Sequence, residues 1–254
     1  GATLATAGTL GIHADSQDTQ TLINQGGKLN AGQLDLHASN IDNTAGGEIV
    51  QTGTGATTIA VSSSLNSANG RIASNGQDLT LKAATLTNTA GKIEHAGAGT
   101  LAIQADSLDG ADGQITSNGA LVAAVAGKFN QDGGATTARQ ITIDAGMLAN
   151  RGGTVIQTGT DNTRIAVVGA LDNSGGGTLA SNGATAIMAG SLKNDAGSIR
   201  TAGIADLSIR TAGLLDNSAN GEIVAGGNAE LEAGRFVNDT GSVKAVGDLS
   251  MTVV

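Results

Sequence analysis

The chain of 254 residues has no cysteine, proline, tryptophan or tyrosine, and its only aromatic residues apart from three histidines are Phe129 and Phe236. The absence of cysteine excludes disulfide bonds and thiolate metal sites. The scarcity of rings points to a thin core of small aliphatic side chains. Because hydrophobic residues make up 39% of the chain, there is enough apolar material to bury such a core, and wholesale disorder is not expected.

Basic residues are also scarce. The chain has 13 Lys and Arg against 22 Asp and Glu, which gives a net charge of −9. Nucleic acids and anionic membrane surfaces attract clustered positive charge, so neither is an expected partner. No apolar run approaches the ~18 residues that a membrane-spanning helix needs. We therefore expect no nucleic-acid binding and no membrane insertion.

Glycine is abundant, with 40 residues, and much of it lies in a repeated motif. Two copies of the motif are LTNTAGKIEHAG at 86–97 and LKNDAGSIRTAG at 192–203. The eleven copies begin at Leu22, Ile41, Leu65, Leu86, Leu108, Phe129, Leu148, Leu171, Leu192, Leu215 and Phe236. Their average spacing is about 21 residues, a period that is typical of solenoids.

Each copy contains three short pieces in which aliphatic and polar residues alternate, a pattern typical of strands. Glycines between the pieces indicate bends with positive φ. Because equivalent strands stack in parallel and parallel crossovers are right-handed, the sequence predicts an all-β, right-handed parallel β-helix of about 12 coils. We expect residues 1–254 to form a single β-helix segment, with 1–21 as a partial coil and 22–254 as the eleven repeats.

Asparagine occupies the third motif position in eight of the eleven copies. Its longest unbroken run is Asn150, Asn173, Asn194, Asn217 and Asn238. Side-chain amides stacked about 4.8 Å apart can hydrogen-bond along the column. We therefore predict that these residues form a structural ladder and not a ligand site.

The pattern L-x-N-x-x-G-x-I-x-x-x-G, followed by L-x-I-x-A, resembles the haemagglutinin repeat of filamentous haemagglutinin-type exoproteins. Leu171, Asn173, Gly177, Leu179 and Gly183 carry the resemblance in one coil. It implies a β-helical shaft of a protein secreted by a two-partner system and displayed on a bacterial cell surface, either an adhesin or a contact-dependent growth-inhibition effector. It also implies an outer-membrane transporter, engaged through regions outside this segment of a longer protein.

Two longer copies carry insertions, QTGTGATT at 51–58 and QTGTDNTR at 157–164. Loops on a rigid scaffold commonly carry binding residues. Thr160, Asp161, Asn162 and Arg164 offer both charges together with hydrogen-bonding groups. The second insertion is therefore the better candidate for contact with a receptor or glycan on a host or neighbouring cell. The alternative interpretation is a tolerated surface insertion.

Parallel β-helices also include polysaccharide lyases and hydrolases, which need clustered carboxylates. Here Asp42, Asp109, Asp172 and Asp216 share one motif position but fall in non-adjacent coils. We therefore expect no catalytic residues, no cofactor and no enzymatic activity. A shaft segment is the predicted function, a receptor- or glycan-binding module is the alternative, and a carbohydrate-active enzyme is a third hypothesis.

Histidine is the remaining candidate for a metal ligand. His13 and His37 each follow the last aliphatic residue of a third strand, in adjacent coils, while His95 lies alone after a second strand. We expect His13 and His37 to stack as an exposed pair. Because two imidazoles alone bind a metal ion weakly, the sequence predicts no metal site.

Overall fold

The computed structural model describes residues 1–13 and 20–254, which form 21 β-strands and no helix. Residues 1–126 and 127–254 form two compact units. Strands that begin in the first unit are β1 (Thr3–His13), β2 (Thr21–Ile23), β3 (Lys28–Asp42), β4 (Glu48–Gln51), β5 (Thr57–Asn66), β6 (Arg71–Ser74), β7 (Leu79–Thr87), β8 (Lys92–His95), β9 (Thr100–Asp109) and β10 (Gln114–Asn130). Those of the second unit are β11 (Ala135–Ala149), β12 (Thr154–Gln157), β13 (Thr163–Asp172), β14 (Thr178–Ser181), β15 (Thr185–Lys193), β16 (Ser198–Thr201), β17 (Leu207–Asp216), β18 (Glu222–Ala225), β19 (Ala229–Val237), β20 (Ser242–Ala245) and β21 (Leu249–Val253).

Strands pair in parallel with their equivalents one coil away. Ile165 of β13 faces Ile187 of β15, which faces Ile209 of β17, and the short strands β12, β14 and β16 stack in the same way. The chain makes about 11 turns of about 22 residues each. The predicted all-β parallel solenoid is thus confirmed, while its right hand and its continuity as one segment stay predictions.

Each coil has fewer separate strands than the three that the sequence pattern predicts. The third piece of one copy and the first piece of the next form one long strand, as in β13, and the corner between them is a β-bulge after Val167. A bulge bends a strand without ending its hydrogen-bonded ladder. Alternation of residue types therefore located the inward positions correctly, but it did not distinguish a bulged corner from a turn.

The core consists of aliphatic side chains stacked in columns. Leu81 and Ile103 face each other in β7 and β9 and are about 1% and 0% exposed. Phe129 is fully buried, and Phe236 is partly buried. Burying each aliphatic side chain contributes about 1.5–3 kcal/mol, so a column of such residues is a major source of stability.

Asparagines of the second unit form a hydrogen-bonded column next to this core. The Nδ2 groups of Asn150, Asn173, Asn194 and Asn217 each donate to Oδ1 of the next asparagine at 2.7 Å, ending at Asn238. Each Nδ2 also donates to a backbone carbonyl of the next coil, for example from Asn194 to Glu222 O at 3.1 Å. The first four asparagines are fully buried, whereas Asn238 is exposed. The amides therefore link both side chains and backbones of successive coils.

The motif glycine has a different role from the one that the sequence suggests. Positive φ falls on the residue before it, such as Ala90 (φ 50°) before Gly91 and Ala196 (φ 52°) before Gly197. A Cβ on Gly197 would lie 2.0 Å from Asn173 O and 2.6 Å from Oδ1 of Asn194. Glycine is therefore required because the asparagine of its own coil and the backbone of the previous coil approach it closely.

The coil that begins at Phe129 interrupts the asparagine column. Gln131 takes the asparagine position and is fully buried, and neither polar atom of its side chain has a hydrogen-bond partner among the described residues. The same is true of Oγ1 of buried Thr136 and of Oδ1 of Asn150. An unsatisfied buried polar group costs about 1–3 kcal/mol, so this coil is a local weak point.

The ladder predicts that Asn194→Ala destabilises the protein by about 2–4 kcal/mol, because it removes the acceptor of Asn173 and the donor to Asn217 inside the core. The matched control is Asn238→Ala. Because Asn238 is exposed, this substitution is expected to lower the free energy of unfolding by under ~1 kcal/mol. Urea unfolding monitored by circular dichroism measures both. Equal losses of stability would show that burial of the column does not determine its strength.

The interrupted coil predicts a stabilising substitution. Gln131→Asn shortens the side chain to the length used elsewhere in the column, so that its Nδ2 can donate to the unpartnered Oδ1 of Asn150. We expect a gain of about 1 kcal/mol. Urea unfolding of a double-mutant cycle with Asn150→Ala tests the cause, because the gain should disappear when Asn150 is absent. A gain that persists in the Asn150→Ala background contradicts this explanation.

Candidate functional site: the bends after the short strands

Most short strands end in a buried polar side chain that organises the bend that follows. These residues are Gln51, Ser74, His95, Gln157, Ser181 and Thr201, and Ser117 takes the equivalent position within the long strand β10. In the tight bends a serine Oγ accepts a bend N–H, from Gly76 to Ser74 at 2.9 Å and from Gly183 to Ser181 at 3.0 Å. The polar residue therefore takes the place of a backbone partner at the point where the chain leaves the strand.

Three bends are longer, with five residues each, at 52–56, 158–162 and 202–206. A side chain closes each of them onto the carbonyl four residues later. Gln51 Nε2 donates to Gly55 O at 2.6 Å, Gln157 Nε2 donates to Asp161 O, and Thr201 Oγ1 donates to Ala205 O at 2.6 Å. The two glutamines also accept a backbone N–H of the preceding coil, as Gln157 Oε1 does from Ile141 at 2.8 Å.

The four residues predicted to bind a partner do not all lie in one loop. Thr160, Asp161 and Asn162 are exposed in the bend 158–162. Arg164 instead lies in β13 on an outward face, where its Nη1 is 2.5 Å from Oδ1 of Asp144 in the coil before. The charge of Arg164 is therefore matched on the sheet face. The bend itself presents three hydroxyl or amide side chains, those of Thr158, Thr160 and Asn162, and the carboxylate of Asp161.

Sequence reasoning missed the third long bend, which presents an apolar side chain. Ile204 in 202–206 is 93% exposed. Gln157, Ser181 and Thr201 are register partners in successive strands, so the bends 158–162 and 202–206 lie two coils apart, about 10 Å, along one edge. The signal was present in the sequence, since the repeats starting at Leu148 and Leu192 both span 23 residues.

The expected histidine pair is present and includes a third residue. His13 and His37 are register partners, with ring centroids 5.3 Å apart, and Nε2 of each lies 2.9 Å from a different oxygen of Asp35. Partial burial acts to raise the pKa of Asp35, but hydrogen bonds from both imidazoles and their charge when protonated outweigh it, so this pKa is lowered. His95, by contrast, is buried and contacts Ser117 Oγ and Gly76 O.

Carboxylates at the shared motif position are used for turns. Oδ1 of Asp172 accepts both the N–H and the hydroxyl of Ser174, and Asp42 and Asp216 do the same with Thr44 and Ser218. A cavity lined by Ile141, Val155 and Leu179 has a volume of only about 10 Å³, the space of one water molecule. Neither feature provides an acid–base pair beside a substrate-sized pocket.

Comparison with known families agrees with this architecture. The model for the haemagglutinin repeat matches residues 5–64, 52–102, 96–175, 157–219 and 205–252, nearly the whole chain. The chain belongs to the haemagglutinin-repeat family. This family is a structural repeat of adhesins and not an enzyme family, and membership implies a secreted or surface-exposed protein.

Neither a curated protein nor a solved structure matched the chain. Within residues 1–13 and 20–254, no helix is long and apolar enough to cross a membrane.

The bend geometry predicts that Gln157→Ala destabilises the protein by about 1–3 kcal/mol, because the buried N–H of Ile141 loses its acceptor and the bend loses its closing hydrogen bond. Thr160→Ala is the control, since its side chain is exposed at the tip of the same bend. Thermal unfolding and hydrogen exchange of the Ile141 amide measure the two effects. Unchanged exchange at Ile141 would argue against this role for Gln157.

Proposed function

We propose that the haemagglutinin repeats of this chain form a shaft segment of a filamentous adhesin displayed on a bacterial cell surface. The observation that supports this is the columnar bonding of successive coils through backbone pairing and buried aliphatic side chains, to which the amides from Asn150 to Asn238 add hydrogen bonds. Such a structure gives length and rigidity with few residue types. Secretion through an outer-membrane transporter, engaged by regions outside this segment, is part of the proposal, and catalysis is not.

We assign contact with a partner to the edge formed by the bends 158–162 and 202–206. Several charges on the sheet faces are matched between coils, such as Lys28 with Glu48 and Arg210 with Glu230. The side chains of Thr160, Asp161 and Asn162 have no hydrogen bond to any described residue, and Ile204 is almost fully exposed nearby. An edge with free polar groups and one apolar side chain fits a receptor or glycan on a host or neighbouring cell.

The test is a bend exchange within the full-length parent protein. Residues 157–162 are replaced by Ser-Asn-Gly-Ala, the sequence of 181–184, which makes the tight bend of the neighbouring coil. The same exchange at 51–56 in the first unit is the matched control, because that bend has the same closing glutamine but no charged residue. Adhesion to target cells and thermal unfolding are measured for both.

We expect both exchanges to fold and only the exchange at 157–162 to reduce adhesion, by about tenfold if the bend carries an interaction of ~1.4 kcal/mol. Ile204→Ser should then reduce adhesion in the same direction. Unchanged adhesion in both variants would overturn the assignment of this edge and leave the shaft proposal in place. Turnover of an acidic polysaccharide by the purified segment would overturn the shaft proposal itself.

A further inference from the structure

We propose that His13, Asp35 and His37 bind a divalent metal ion of the zinc class and that the ion ties two successive coils together. No continuous motif in the sequence indicates this site, because its ligands come from two coils, with His13 in one and Asp35 and His37 in the next. The proposal concerns the outward face of the first unit and is independent of the partner-binding edge in the second unit.

Backbone pairing brings the three side chains together. Asp35 and His37 are two residues apart in β3 and therefore lie on one face of the strand, and His13 of β1 is the register partner of His37. One ligand atom from each residue lies within 4.8 Å of the other two. Two adjacent, hydrogen-bonded strands thus place three ligands without any loop, which favours a site of fixed geometry.

The set of donor atoms selects the class of ion. Two imidazole nitrogens and one carboxylate oxygen suit Zn²⁺, Co²⁺ or Ni²⁺, and they do not suit Ca²⁺ or Mg²⁺, which prefer oxygen ligands alone. Around a tetrahedral Zn²⁺ with bonds of about 2.0–2.1 Å, ligand atoms are about 3.3 Å apart. In the structure each imidazole contacts a different oxygen of Asp35 at 2.9 Å, and one ligand atom from each residue lies within 4.8 Å of the other two. Binding through one carboxylate oxygen therefore needs side-chain movements of up to about 1.5 Å to bring the ligand atoms to that spacing.

The surroundings leave room for this adjustment. The side chains of the three ligands are between 43% and 59% exposed, so they can move without disturbing the core. Small residues flank them, since Gly11 is the register partner of Asp35 on one side and Thr58 and Ala60 face Asp35 and His37 on the other. Three protein ligands leave the fourth position of a tetrahedral ion to water or to an external donor.

Histidine NMR provides a direct test, because the chain has only three histidines. On titration of the tag-free segment with ZnCl₂, the ring signals of His13 and His37 should shift and saturate at one ion per chain. The signal of His95 should stay unchanged, since this ring is buried between Ser117 and Gly76. Co²⁺ should broaden the same two signals and leave that of His95 sharp.

Binding measured by isothermal titration calorimetry tests the ligand set. Asp35→Asn and His13→Gln are each expected to weaken Zn²⁺ binding at least tenfold. Asp144→Asn is the matched control, because Asp144 is also an outward aspartate of a long strand but pairs with Arg164 instead of histidine. This variant should bind Zn²⁺ as the unchanged protein does. Circular dichroism of all three variants checks that the fold is retained, as expected for exposed positions.

Hydrogen exchange tests whether the ion links the two coils. Zn²⁺ should slow hydrogen exchange of the amides that pair β1 with β3 in the unchanged protein, and it should have no such effect in Asp35→Asn. Saturable binding that persists in both ligand variants, or a shift of His95 in place of His13 and His37, would overturn the site. Zn²⁺ binding at these residues without slower exchange would overturn the proposed link between coils.

Discussion

The close approach of an asparagine amide to the backbone of the next coil is the constraint on which the repeat depends. The amide can reach both the next asparagine and a carbonyl of the next coil only if the chain passes very near it. At that point Gly197, and its equivalents, leave no space for a Cβ. The glycine is needed even where its own coil has no asparagine, since a Cβ on Gly113 would lie 2.1 Å from Asn88 O. The glycine and the asparagine ladder therefore both depend on the close stacking of parallel strands about 4.8 Å apart.

This constraint determines where the sequence can vary. Positions along the columns are fixed by neighbours on both sides, so that one unsuitable residue, Gln131, leaves several buried atoms unsatisfied. The bends after the short strands lie at the surface, and several bond to neighbouring coils through backbone groups, as Gly159 N–H does to Arg139 O at 2.9 Å. Their length changes freely provided that a side chain such as Gln157 or Thr201 closes them. Variation needed for recognition is thus confined to one edge of the coil.

The repeat spacing and the alternation of residue types were enough to predict parallel stacking, the inward positions and the asparagine column, because these follow from one-dimensional periodicity. Features that depend on local backbone angles or on the direction of side chains were not predictable in this way. The three-dimensional structure was needed to find three of them: the positive φ of Ala196, the pairing of Arg164 with Asp144, and the place of Asp35 between two histidines. The bend 202–206 was predictable from repeat length, but its sequence lacks the glutamine that made the others recognisable.

Parallel stacking also explains the outward faces. Equivalent positions in successive coils lie side by side, so that a residue repeated in register repels its own copies if it is charged. Opposite charges from neighbouring coils offset this in places, in register as Arg210 and Glu232 are, or from an adjacent column as Glu94 does for Arg71, whose register partner in that coil is Lys92. Such exposed pairs contribute only about 0–1 kcal/mol each, so their main effect is to remove repulsion. The register pair His13 and His37 has a common hydrogen-bond partner in Asp35 of the adjacent column. The proposed metal ion would contact both imidazoles and the carboxylate at this point, so that the stacking of coils, and not a loop, would bring its ligands together.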